Sequence, residues 1–89
     1  MTSKTTRRFR EELATLPKPV RRQAGEAYRL FDRDPHHPSL HFKKVHTTQP
    51  IYSARINVDY RALGALRGGA IIWFWIGCHA EYEKLLKQL

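Results

Sequence analysis

Three side chains suited to phosphate and proton chemistry fall near the ends of extended segments: Arg55, Arg61 and His79. Arg55 lies in the run Tyr52-Ser-Ala-Arg-Ile-Asn-Val58, where apolar and polar residues alternate. Successive strand side chains point to opposite sides, so Ser53, Arg55 and Asn57 are expected on one face. Arg61 opens the next extended run and joins that face if the register allows. Each guanidinium can donate a pair of hydrogen bonds to a phosphate. The plainer alternative is a row of solvated charges that keeps the sheet face soluble. His79 follows the apolar run Ala70-Ile-Ile-Trp-Phe-Trp-Ile76 and then Gly77-Cys78. It therefore stands where a buried strand gives way to a closing helix. An imidazole gives and takes protons near neutrality, as general acid–base work requires. The alternative is a helix-start histidine, exposed or bonded to backbone. Tyr82 lies one helical turn further on. With Leu85, Leu86 and Leu89 it forms an apolar stripe, so it reads as core, although its hydroxyl can still reach a cleft.

Other chemistries find less support. His36, His37, His41 and His46 cluster in sequence, but Cys78 has no Cys-x-x-Cys partner and His41 to His46 is not a familiar ligand spacing. No metal and no cofactor are expected. His46 reads as part of a basic lip with Lys43 and Lys44. Gly68-Gly69 is a hairpin turn rather than a phosphate loop. Asp59 stands alone in the middle of the chain, so no carboxylate pair is available. A Cys78 nucleophile activated by His79 is disfavoured, because neighbouring strand residues face opposite ways.

The elements that must hold these residues come from a chain of 89 residues, which suffices for one domain with a modest core. Its formal charge of +8 argues for an anionic partner: nucleic acid, an acidic protein segment or an anionic membrane surface. Residues 36–67 carry five Lys/Arg (Lys43, Lys44, Arg55, Arg61, Arg67) against the single acid Asp59. The one cysteine allows no intrachain disulfide, which fits a reducing compartment. The longest apolar run is too short to span a bilayer, and the basic N-terminus lacks the apolar segment of a secretory signal. A soluble, cytoplasmic protein that does not engage membranes is expected.

Residues 1–6 read as a tail or a short first strand. Phe9, Leu13 and Leu16 predict a helix over 7–16, ended by Pro17. Val20, Ala24, Ala27, Tyr28 and Phe31 predict a second helix from Lys18 to Arg33, with Pro19 in its first turn. Asp34-Pro35-His36-His37-Pro38 breaks the chain. Strands are predicted at about 40–45, 52–58, 60–66 and 70–76, the last apolar on both faces and therefore central. In the final helix Glu81 and Glu83 come early and Lys84 and Lys87 late, in accord with the helix dipole, and Glu83 is placed to pair with Lys87. The expected architecture is α+β: two N-terminal helices packed on one face of a four-stranded, mainly antiparallel, twisted sheet, with a short C-terminal helix. The other sheet face would carry Arg55 and its neighbours.

This order of elements resembles the RelE/ParE superfamily of toxins from toxin–antitoxin modules. The resemblance runs from Phe9 to Leu86. It is carried by Asp34-Pro-His-His-Pro-Ser-Leu40, Tyr52-Ser-Ala-Arg-Ile56, Asp59-Tyr-Arg-Ala-Leu63 and Trp73-Phe-Trp-Ile-Gly-Cys-His-Ala-Glu-Tyr82. It implies a toxin that cuts translated messenger RNA on the ribosome, using the RNA's own 2′-hydroxyl and no metal. It also implies a cognate antitoxin. By analogy, Arg55 and Arg61 match strand positions that hold the scissile phosphate. His79 matches the position after the strand-end glycine, where some members carry a histidine and others an arginine. Tyr82 lies near the C-terminal aromatic of the family. Ser53 stands where some RelE proteins have a catalytic lysine. On this reading Arg55, Arg61, His79 and Tyr82 are the candidate catalytic residues. Lys43, Lys44, His46 and Ser53, with the arginines of the second helix, would contact RNA. The ParE branch shares the fold but inhibits DNA gyrase without cutting RNA, so gyrase is the alternative partner. A third reading is a non-catalytic RNA-binding module.

Overall fold

The computed structural model describes all residues from 1 to 89. Its elements are β1 (Ser3–Thr5), α1 (Arg7–Ala14), α2 (Lys18–Arg33), β2 (Lys43–Lys44), β3 (Ile51–Arg55), β4 (Tyr60–Arg67), β5 (Ala70–Cys78) and α3 (His79–Gln88). The five strands form one sheet in the order β1-β5-β4-β3-β2. From β2 to β5 neighbouring strands are antiparallel, whereas β1 runs parallel to β5. The α+β architecture is as expected, with one strand more than the four anticipated. Ser3-Lys4-Thr5 has no apolar alternation to announce it. It is held through the backbone: Ile71 N–H donates to the Thr2 carbonyl (3.0 Å) and Thr6 N–H to that of Trp73 (2.9 Å). The Tyr28 hydroxyl also donates to the Ser3 carbonyl at 2.9 Å.

The Thr6 hydroxyl caps α1 by accepting the Phe9 N–H at 3.1 Å. The helix stops at Ala14, short of the expected Leu16. The Thr15 hydroxyl donates to the Glu12 carbonyl at 2.7 Å, and Pro17 offers no N–H to continue the ladder. Pro19 sits in the first turn of α2, where its missing donor costs nothing. Val20, Ala24 and Phe31 of α2 are buried, and with Phe9 of α1 the last two join a cluster that includes Leu40, Ala54, Ala62, Ile71 and Trp73.

Two predicted strands are shorter than their patterns suggest. The first was expected over 40–45, but Pro38–Leu40 is a 3-10 turn and only Lys43–Lys44 pairs. His37 Nδ1 accepts the Ser39 N–H at 3.2 Å, and His41 takes a left-handed conformation (φ 44°) that breaks an extended path. The Leu40/Phe42 alternation reflects burial without strand pairing. The second was expected over 52–58 but ends at Arg55. Asn57 Oδ1 accepts the N–H groups of Asp59 (2.8 Å) and Tyr60 (2.9 Å), which turns the chain into β4. Asn57 Nδ2 donates to Gln23 of α2 at 2.7 Å. Asn57 therefore does not share the face of Ser53 and Arg55.

The fourth predicted strand is central, as expected, and runs on to Cys78. Its register with β4 slips at Leu63/Gly64: Leu63 pairs with Trp75 and Gly64 with Trp73. The extra residue, Phe74, lets the two tryptophans serve different faces. Trp73 packs under α1 and α2, and Trp75 packs with Leu63 and Tyr82. A side chain at Gly64 has no room, because a Cβ would lie 2.6 Å from Ile71 Cγ2. The two N-terminal helices share one face, as expected, and α3 does not join them. Tyr82, Leu85 and Leu86 carry α3 onto the opposite face, over Leu63 and Trp75. That face holds a second small core, and only part of it is open.

Candidate functional site

The open part of the α3-side face is a cleft of about 450 Å³. Its lining includes His41, Lys43, Lys44, Ser53, Arg55, Arg61, His79, Tyr82 and Glu83. Seven of the eight residues singled out from sequence are brought together here; His46 is not.

The register explains the convergence. Arg55 at the end of β3 pairs directly with Arg61 at the start of β4. Paired residues of antiparallel strands share a face, so two guanidiniums stand side by side. Like charges placed opposite each other weaken a sheet unless something anionic lies between or above them. Arg61 pairs in turn with Gly77 on β5. A Cβ at Gly77 would meet the Trp75 ring at 2.6 Å, so the indole covers this glycine and forms floor beside the arginines. Ser53 pairs with Lys43, which brings a lysine to the same side. Lys44 pairs with Tyr52, whose face is the α1/α2 side, so Lys44 only borders the cleft.

Both arginines are half-buried, and neither has a carboxylate partner. Arg61 Nη1 donates to the carbonyls of Asn57 (2.6 Å) and Tyr60 (3.0 Å). These bonds clamp the guanidinium to the β3–β4 turn and leave Nη2 and Nε without protein partners. Arg55 Nη1 lies 3.5 Å from His41 Nε2, the outer limit of a hydrogen bond.

His79 is the first residue of α3, and its N–H donates to the Asp59 carbonyl at 2.6 Å. Its ring stacks on Tyr82 (centroids 5.7 Å apart, 29° between planes), and its Nε2 lies 3.1 Å from Glu83 Oε1. Glu83 thus pairs with His79 and not with Lys87 as expected. Tyr82 is both core and lining: it is 6% exposed, yet its hydroxyl has no protein partner and is not sealed from solvent. Ser53 is 2% exposed with its hydroxyl in the same situation.

The remaining histidines are occupied elsewhere. His46 Nδ1 accepts the N–H groups of Thr48 (3.2 Å) and Gln49 (2.9 Å), and its Nε2 donates to the Leu89 carbonyl at 2.7 Å. It braces a loop and the end of α3. His37 and His41 are four residues apart, but the intervening 3-10 turn turns one ring to Ser39 and leaves the other near Arg55. No three His, Cys, Asp or Glu side chains converge as a metal site would require. The arginines of α2 belong to the other side of the sheet, where Arg21 and Arg29 edge a mainly apolar cavity of about 300 Å³. Sequence reasoning missed His41 and Glu83. The i,i+4 spacing of His79 and Glu83 was a usable signal; the left-handed turn that delivers His41 was not.

In sum of charge, the cleft carries four Lys/Arg and one carboxylate, a lining suited to a phosphodiester, with an imidazole at its edge. A fold of this kind defines a class, the small α+β toxins of the RelE/ParE superfamily. The chain matches the ParE-like toxin domain over residues 18–84 and belongs to that family. It is also similar to a chain of the RelB-RelE antitoxin-toxin complex from Methanococcus jannaschii (TM-score 0.74, 16% identity), with 92% of this chain and 96% of that chain covered. The archaeal RelE-RelB complex from Pyrococcus horikoshii OT3 gives a TM-score of 0.70 at 21% identity, covering 86% and 92%. YafQ from E. coli gives 0.72 at 10% identity, covering 90% and 94%. No curated protein sequence matches the chain significantly. No helix is long and apolar enough to cross a membrane.

Proposed function

We propose that this toxin domain is a ribosome-dependent endoribonuclease that cuts translated messenger RNA and is restrained in the cytoplasm by a cognate antitoxin. One observation carries the reading. Arg55 and Arg61 stand directly opposite each other without carboxylate partners, and His79 lines the same cleft. The arginines bind the scissile phosphate and neutralise charge that builds on its oxygens in the transition state. Lys43, opposite Ser53, supplies an ammonium on that side of the cleft, and Lys44 meets the backbone at its rim. His79 takes the proton of the 2′-hydroxyl. The 2′-oxygen then bonds to phosphorus, the P–O5′ bond breaks with its electrons passing to O5′, and O5′ takes a proton from water. Tyr82 supports the His79 ring by stacking. The RelB-RelE antitoxin-toxin and RelE-RelB complexes support a cognate antitoxin as partner here, and the cationic cleft suits an acidic or amphipathic segment of it.

The test is messenger cleavage in cells expressing the wild type, His79→Ala and Arg61→Ala, mapped on translated transcripts. Cleavage by the wild type and its loss in both variants is expected. Equal cleavage by all three would remove these residues from the reaction. The match to the ParE-like toxin domain gives the rival reading its one support. Inhibition of gyrase supercoiling by the purified protein, without RNA cleavage, would favour that rival.

A further inference from the structure

We infer that Glu83 is a positioning residue for His79: its carboxylate holds Nε2 and leaves Nδ1 as the nitrogen that takes the substrate proton. The inference rests on the nuclease reading of the cleft. Three contacts bear on the histidine, whose side chain and that of Glu83 are both about half exposed (50% and 56%). Its backbone N–H is tied to the Asp59 carbonyl (2.6 Å), its ring lies on Tyr82, and its Nε2 reaches Glu83 Oε1 at 3.1 Å. Tyr82 is anchored in the Leu63–Trp75 cluster, so the ring rests on a packed surface. Stacking alone still allows the ring to flip about its own axis and exchange Nδ1 with the carbon opposite. The carboxylate removes that freedom, because only a nitrogen-bound hydrogen can be donated to it. The Nδ1 atom has no protein partner.

The rest of the lining makes the placement informative. Lys43, Lys44, Arg55 and Arg61 are the fixed cations of the cleft, and Glu83 is its single carboxylate. A carboxylate beside a phosphate site opposes the ligand. Its presence within hydrogen-bond reach of the one side chain argued to move a proton gives that opposition a use. In the reaction Nδ1 accepts the 2′-hydroxyl proton while Glu83 keeps Nε2–H aligned. The new O2′–P bond and the broken P–O5′ bond are unchanged from the scheme above, and the imidazolium returns its proton to solvent.

Glu83→Ala, Glu83→Gln and the double variant Glu83→Ala/His79→Ala test this on translating ribosomes. Loss of orientation should lower kcat of Glu83→Ala roughly 10-fold, with KM unchanged or lower. Glu83→Gln should recover most of the rate, because an amide oxygen also accepts from Nε2–H. The double variant should be no slower than His79→Ala alone. Nuclear Overhauser contacts of the His79 Cδ2 and Cε1 protons in the free protein should report one ring orientation in the wild type and Glu83→Gln, and averaging over the flip in Glu83→Ala. Wild-type averaging, a Gln variant as slow as Ala, or an additive double variant would each overturn the role. A fixed His79 ring orientation in a wild type that cuts no message would instead sink the nuclease reading, and the catalytic role of Glu83 with it.

Discussion

The two faces of the sheet are built on different terms. Under α1 and α2 lies a continuous apolar cluster in which Phe31 meets Phe42 and Trp73 edge-on, with centroids 4.9 and 5.2 Å apart. Under α3 lies a much smaller core of Leu63, Trp75 and Tyr82, beside which the sheet opens into the cationic cleft. The first face spends nearly all of its inward positions on burial. The second gives up several of them to Lys43, Ser53, Arg55 and Arg61, which leave the sheet open beside the small core. Stability is thus concentrated on one side so that the other can keep unneutralised charge at a fixed geometry. Substitutions should divide along the same line: stability losses from the α1/α2 face and activity losses from the α3 face.

The largest effect should come from Phe31→Ala. This ring is 1% exposed, and deleting it should cost about 3–5 kcal/mol. A chain of this length has roughly 4–13 kcal/mol in all, so urea denaturation should show a midpoint lowered by about a quarter or more. An unchanged midpoint would mean that the burial is not where the stability lies. Next comes Arg61→Ala, which should lower messenger cleavage about 10²- to 10³-fold while the denaturation midpoint moves little. The side chain also ties the β3–β4 turn through the Asn57 and Tyr60 carbonyls. A midpoint shift as large as that of Phe31→Ala would therefore move Arg61 from the second class to the first.

How much of this was legible depended on what each feature needs. Apolar periodicity exposed α2 and β5, because Ala24, Phe31, Ile71 and Trp73 are chosen by burial. Arg55 was legible from strand alternation alone, whereas its place opposite Arg61 depended on a register that only the fold supplies. β1 was only one of two options, since Ser3–Thr5 is held by backbone bonds to β5 that no side-chain pattern records. Asn57 was misplaced because local turn chemistry overrode the alternation of Tyr52–Val58. The position of α3 turned on the slip at Phe74, which sends Trp75 to the second face. One residue more or less in a strand inverts every side chain beyond it, and composition does not count to that accuracy.

Gly77→Ala sharpens the comparison because Gly77 belongs to both functions of the second face. The added methyl would meet Trp75 at 2.6 Å, so the indole must shift under the arginines. A loss of about 1–3 kcal/mol by denaturation is expected, together with a fall in cleavage that exceeds what the lost folded population explains. A stability loss alone would show that the indole does not position the site.

Tyr82→Phe is the finest cut. The ring supports Leu63 and Trp75 from one side and the His79 imidazole from the other, while the hydroxyl opens on the cleft without a protein partner. Removing only the hydroxyl keeps the packing and the stacking. If the ring is what matters, stability should stay within ~0.5 kcal/mol and cleavage within about two-fold of the wild type. A drop in kcat beyond about 10-fold with an unchanged midpoint would give the hydroxyl a part in the reaction, since no loss of packing could account for it. The small core of the second face would then be continuous with its chemistry, and Tyr82 would be the residue at which the two meet.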